Sequence, residues 1–202
     1  MFTEIKKPLL IITIATIMLW IAIRLIFKRR FKKHFPSCIQ ELVCVSFGVY
    51  LAWVFCITLY PTPSTFMKTP GSGSINLVPF VTTYNEFVRA FSLHQVYARP
   101  YLLYLVITTT GNVFLFVPFG FLFPQVSKYR TFAKLIAAAF VFSSGIEISQ
   151  YFLRFIGIYR SVDVDDILLN VLGAGIGFSI LAIFKKLCTK PAGEQQSNLT
   201  QE

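Results

Sequence analysis

Apolar positions in this chain come in long blocks. From Pro8 to Phe27 almost every residue is apolar, bounded by Lys6 and Lys7 before and by Lys28, Arg29, Arg30, Lys32 and Lys33 after. About 20 such residues cross a hydrocarbon core about 30 Å thick, so the block predicts a membrane span. It is too long for an ordinary signal-peptide core and lacks an A-x-A cleavage signal, and is therefore read as retained. Further blocks run from Ser37 to Tyr60, closed by Pro61 and Pro63, from about Tyr101 to Pro124, from about Thr131 to Leu153, and from about Asp165 to Lys186. Five spans are predicted.

The second and third spans are separated by PTPSTFMKTPGSGS at 61–74, whose composition is that of a flexible connection. INLVPF follows, and then YNEFVRAFSLHQVYA. In that stretch Phe87, Ala90, Phe91 and His94 recur at helical spacing against Glu86, Arg89 and Gln95. It is too short and too polar to span, so the pattern predicts a helix lying in the interface. The expected fold is an all-α integral membrane bundle of about five transmembrane helices plus this short helix. Residues 1–36 form an N-terminal span with a basic cytoplasmic loop, 37–187 the membrane domain, and 188–202 a polar cytoplasmic tail.

Composition agrees. Of 202 residues 55% are hydrophobic and 14% charged, whereas soluble domains carry about 25% charged residues. A soluble enzyme, a disulfide scaffold, a coiled coil and a disordered chain are all excluded. The formal charge of +10 would point to nucleic acid in a soluble protein, but here the basic residues sit in short loops, where the positive-inside rule accounts for them. With the 28–33 loop inside, Arg24, the five residues of that loop, Lys128, Arg130, Lys134, Lys185, Lys186 and Lys190 make twelve cytoplasmic cations. Lys6, Lys7, Lys68, Arg89, Arg99, Arg154 and Arg160 make seven outside. The N-terminus is therefore expected outside and the C-terminus in the cytoplasm. Cys38, Cys44, Cys56 and Cys188 have no metal or redox spacing, and no cofactor motif is present.

Polar side chains within a span are expensive and mark a partner or a function. Asn112 lies about 16 Å along the third span from Tyr101, near the expected midplane; its amide reads as interhelical glue or a ligand contact. Pro118 and Gly120 predict a kink and a close approach on the same helix. Glu147, Gln150 and Arg154 share one face of the fourth span, either as a structural ion pair or as an acid facing a cavity. In RSVDVDDILLN, Asp163, Asp166 and Asn170 fall on one helical face behind Arg160, with Asp165 directed elsewhere. Asp163 also reads as a helix N-cap. Gly173 and Gly177 continue that face as a small-xxx-small strip suited to close packing. Asn76 with Pro79 in INLVPF could be no more than a turn.

At these residues the chain resembles the VanZ-like family of bacterial membrane proteins, whose name-giving member confers low-level teicoplanin resistance. The likeness runs from about Phe47 to Phe184 in four ordered blocks. These are Asn76 to Phe80; Asn112 with Phe116, Pro118 and Gly120; Glu147 with Gln150; and Arg160, Asp163, Asp166, Asn170, Gly173 and Gly177. Tyr159 stands where members often carry glycine. The resemblance implies a protein of the bacterial cell membrane linked to glycopeptide resistance, and does not by itself imply a mechanism.

Two functions compete at this stage. In the first, an outward-facing polar site binds a lipid or cell-wall precursor headgroup, or a lipoglycopeptide, with Asn76, Asn112, Glu147, Gln150, Arg160, Asp166 and Asn170 as ligand contacts and membrane lipids as partners. Arg160 would meet phosphate or carboxylate. In the second, a membrane enzyme acts on a lipid-linked phosphate, with Glu147, Asp163 and Asp166 as acid-base candidates. Against catalysis, no nucleophile stands beside a His and no phosphate loop is present. Transport would ordinarily need more spans.

Overall fold

The computed structural model describes residues 2–30, 38–60, 75–93 and 95–188. Six α-helices fill these stretches: α1 (Phe2–Arg30), α2 (Cys38–Leu59), α3 (Val81–Ser92), α4 (Gln95–Val126), α5 (Phe132–Leu153) and α6 (Val164–Cys188). Two short strands, β1 (Ile75–Asn76) and β2 (Val162–Asp163), complete the architecture with a 3₁₀ turn at Arg154–Ile156. The all-α membrane bundle is thus as expected. The flexible connection expected at 61–74, with its closing Pro61 and Pro63, and the tail beyond Cys188 lie outside the described residues.

Among the described residues four segments, one fewer than the five spans expected, are long and apolar enough to cross a membrane: α2, residues 97–126 of α4, Phe132–Ile156 and α6. Their apolar side chains point in all directions, as a bilayer requires. In α1 the apolar stretch among the described residues is Lys7–Ile23, shorter than the other four. Its contact with α2 is specific: the Trp53 indole N–H donates to the Thr13 hydroxyl at 2.7 Å.

The structure divides the expected interfacial helix. The break falls at Leu93, whose backbone is extended, while the Ser92 hydroxyl bonds the Arg89 carbonyl at 2.8 Å; such local bonding competes with helix continuation. His94 lies outside the described residues, and α4 begins at Gln95, six residues before the expected start of the third span at Tyr101.

The bundle closes on α4 and α6, which run parallel. A Cβ added to Gly173 would collide with the Val113 carbonyl, one on Gly177 with the Val117 carbonyl, and one on Gly120 with the Ala174 carbonyl. Only hydrogen atoms fit between the backbones, the arrangement that small residues permit in membranes. The close packing read from the Gly173/Gly177 strip is present, and Gly120 contributes from the facing helix. Behind this seam, Val54, Phe116, Phe119, Leu135 and Ala139 form the buried core with Ala174. The Phe119 ring stacks on Phe142 at 5.5 Å and on Phe123 at 5.1 Å between centroids.

Candidate functional site

The site begins with two residues of strand. β1 and β2 pair in parallel with Asn76 opposite Asp163, which brings the INLVPF segment against the start of α6 across a sequence separation of 87 residues. The Asn76 amide donates to the Asp163 carboxylate at 2.8 Å, and its carbonyl oxygen accepts the Val78 N–H at 3.3 Å. Asn76 therefore closes a turn of its own and ties it to a distant helix. Asp163 also accepts the Asp165 N–H at 2.9 Å, two residues on, and so caps α6 as the sequence indicated. Burial pushes the Asp163 carboxyl upward, as does nearby Asp165, against the hydrogen bonds from the Asp165 N–H and Asn76.

Asp165 points elsewhere than Asp166, toward the start of α3, and is buried at 3% exposure, accepting the Phe80 N–H at 2.7 Å and the Thr83 hydroxyl at 2.5 Å. Asp163 does not share a helical face with Asp166 and Asn170, because it lies in β2 and the helix begins only at Val164. From the first turn of α6, Asp165 reaches the start of α3. The N-cap of α3, Phe80, has φ of 63°, a left-handed conformation that a bulky side chain disfavours. A carboxylate at that helix N-terminus holds it there.

On α5, Ser143, Glu147 and Gln150 fall at i, i+4 and i+7, one stripe of the helix, and Arg154 follows at i+11 in the 3₁₀ turn. Glu147, 5% exposed, accepts the Asp163 N–H at 3.0 Å. Gln150, 8% exposed, donates its amide to the Thr58 carbonyl at the end of α2 at 3.2 Å. Arg154 donates Nε and Nη2 to the Arg160 carbonyl at 3.1 and 2.6 Å. The face expected for Glu147, Gln150 and Arg154 is thus real, but the carboxylate and the guanidinium bond to backbone on opposite flanks of the loop 157–163. Arg160 reaches the Tyr60 carbonyl at 2.9 Å, and burial lowers the pKa of its guanidinium.

Two further bonds extend the cluster toward the bundle centre. The Asn112 amide donates to the Asp166 carboxylate, an interhelical bond from α4 to the first turn of α6 of the kind its position in a span called for. The Asn170 amide donates to the Ser143 hydroxyl at 2.8 Å, a fully buried pair. Of the residues named from sequence, Asn76, Asp163 and Glu147 are thus joined by hydrogen bonds, Asn112 pairs with Asp166 and Asn170 with Ser143 beside them, and Gln150 and Arg160 reach the end of α2. Asp165, Thr83 and Ser143 were missed. Ser143 was legible as the next residue of the α5 stripe, whereas Thr83 carried no signal.

Among the described residues, three buried side-chain polar atoms are without a hydrogen-bond partner: Gln150 Oε1, Arg160 Nε and Asn170 Oδ1. All three lie in this cluster. Buried polar groups are normally satisfied, so three orphans in one region need an explanation. The carboxyl groups, in contrast, are engaged by internal donors, and among the described residues no group of three or more His, Cys, Asp or Glu side chains is placed to hold a metal ion.

Apolar helices of spanning length around a polar cluster at one end define the class: a helical membrane protein with a hydrogen-bonded polar centre. The sequence pattern of the family described as VanZ/LLP1 matches residues 47–185, and the chain belongs to this VanZ-like family. The match begins within α2, so α1 lies outside it. No curated protein and no solved structure matches the chain.

Proposed function

We propose that the polar cluster is an outward-facing site for the headgroup of an envelope lipid or lipid-linked cell-wall precursor, through which the protein contributes to teicoplanin resistance or envelope homeostasis. The observation that carries this reading is the trio of orphaned atoms. Arg160 Nε offers a charge-assisted donor to a phosphate or carboxylate. Gln150 Oε1 and Asn170 Oδ1 are acceptors and suit hydroxyl or amide groups that donate. A headgroup carrying both an anion and hydroxyls or amides satisfies all three.

The acids support binding rather than catalysis. Glu147, Asp163, Asp165 and Asp166 each accept an internal N–H or hydroxyl, which fixes the loop and the two strands around the site. Acid-base work on a lipid phosphate asks for a carboxyl group within reach of the substrate, and these four already have partners. With the N-terminus outside, as the basic residues favour, the cluster faces the cell exterior, where cell-wall precursors and glycopeptides meet. The test is a strain with and without the gene, assayed for teicoplanin and vancomycin susceptibility together with mass analysis of its lipids and precursors. Selective teicoplanin protection with an unchanged precursor terminus supports the proposal. A remade precursor terminus contradicts it and favours an enzyme.

A further inference from the structure

At the opposite end of the bundle, α2, α4 and α5 enclose a groove of about 590 Å³, within the range of about 300–1,000 Å³ usual for ligand pockets. Phe47 and Leu51 of α2, Phe119 and Phe123 of α4 and Phe142 of α5 form its walls. Along α5 the lining runs from Lys134 to Phe142, about 12 Å of helix. The walls are apolar, and the mouth is cationic. Tyr129, also in the lining, carries Lys128 Nζ at 5.4 Å and Lys134 Nζ at 5.3 Å from its ring centroid. Arg130 adjoins them in sequence, and the segment 127–142 contains no Asp or Glu.

We propose that this groove binds an anionic phospholipid, one acyl chain lying along the phenylalanine wall and the phosphate held between Lys128 and Lys134. Each half of the site fits the corresponding half of such a lipid. Lys128 lies in the short 127–131 connection between α4 and α5 and Lys134 in the first turn of α5, at the ends of two spans, and the groove descends from there along the helices. Basic pockets between transmembrane helices recognise anionic headgroups by this combination. The Tyr129 ring, itself in the lining, draws both ammonium groups to it through cation–π attraction, which keeps the charge near the mouth. A second copy of this chain is a poor occupant, because its matching face would bring lysines against lysines.

The experiment uses the purified full chain and two probes with identical acyl chains, phosphatidylglycerol and phosphatidylcholine, with retained lipid counted by native mass spectrometry. Phosphatidylglycerol is expected to be retained preferentially, and Lys128→Gln and Lys134→Gln each to lower its occupancy about fivefold. Ala138→Phe, which fills the groove, lowers retention of both lipids, and Lys186→Gln, away from the groove, changes neither. Equal retention of the two probes, or an equal loss from Lys186→Gln, would show only diffuse attraction to a basic end and overturn the site. Loss of phosphatidylglycerol in the lysine variants with no effect of Ala138→Phe would overturn the placement of the acyl chain.

Discussion

The Asp165 carboxylate holds the backbone N–H of Phe80 at 2.7 Å, joining the first turn of α6 to the N-terminus of a helix 85 residues earlier in the chain. The same side chain holds the Thr83 hydroxyl. One buried acid thus sets the left-handed turn at Phe80 and the direction in which α3 leaves it. Asp165→Ala strips two donors of their acceptor at once, and unsatisfied buried groups cost about 1–3 kcal/mol each. The expected result is a clearly lower melting temperature in detergent, with Asp165→Asn, which keeps one acceptor, between Ala and wild type. Equal melting of all three would show that Asp165 does not hold α3.

The α4–α6 seam makes a sharper demand. At Gly173 and Gly177 the facing backbone leaves no room for a methyl group, and neither carbonyl can move without its helix. Gly173→Ala and Gly177→Ala are each expected to lose stability at the upper end of the overpacking range, about 3 kcal/mol. Gly145→Ala is the control, since nothing lies within 4 Å of its Cβ position. Membrane accumulation and thermal melting read the difference.

Asp163 supplies a pH dependence. Its carboxyl is pushed above the ordinary carboxylate range, burial being the largest cause. The folded chain therefore holds this proton more tightly than the unfolded chain, so the resulting stability is full below the ordinary range and lost as pH rises through the raised value. Melting temperature is expected to fall as pH climbs through that window, and Asp163→Asn to fall less. Parallel pH curves for the two proteins would remove Asp163 as the cause.

Much of this was legible in sequence. Runs of apolar residues marked four spans within a few residues, because a bilayer imposes a length that the chain must meet, while the first run falls short of that length among the described residues. The polar residues within the spans marked the site, because each must find a partner. Which partner each finds was not legible. Asn76 meets Asp163 through a parallel pairing of two-residue strands, too short to leave any alternation in the sequence. A helical wheel separates Asp165 from Asp166 but does not show what Asp165 meets, and it counts Asp163 as helical although the helix begins one residue later. Asn112 was expected to find a partner on a neighbouring helix, but nothing in the pattern pointed to the Asp166 carboxylate.

Orientation decides whether the cluster faces the cell exterior. Cys38 and Cys188 are both exposed at the basic end, and single-cysteine versions retaining either one are expected to resist an impermeant maleimide in intact cells and to react after lysis. Labelling of Cys188 in intact cells would place the polar cluster in the cytoplasm.

The central claim is that the orphaned polar atoms, with Arg160 foremost, form a headgroup site that acts on a lipid-anchored drug. Teicoplanin carries a fatty acyl tail and vancomycin does not, and a buried chain contributes about 0.8 kcal/mol per CH₂ to anchoring. The most direct measurement is the teicoplanin-to-vancomycin susceptibility ratio of cells expressing wild type or Arg160→Ala at equal membrane abundance. The account predicts that wild type shifts the ratio toward teicoplanin resistance and that Arg160→Ala, though folded and present, returns it to the value of cells without the gene. Full protection by Arg160→Ala, or equal protection against both drugs by wild type, would contradict it.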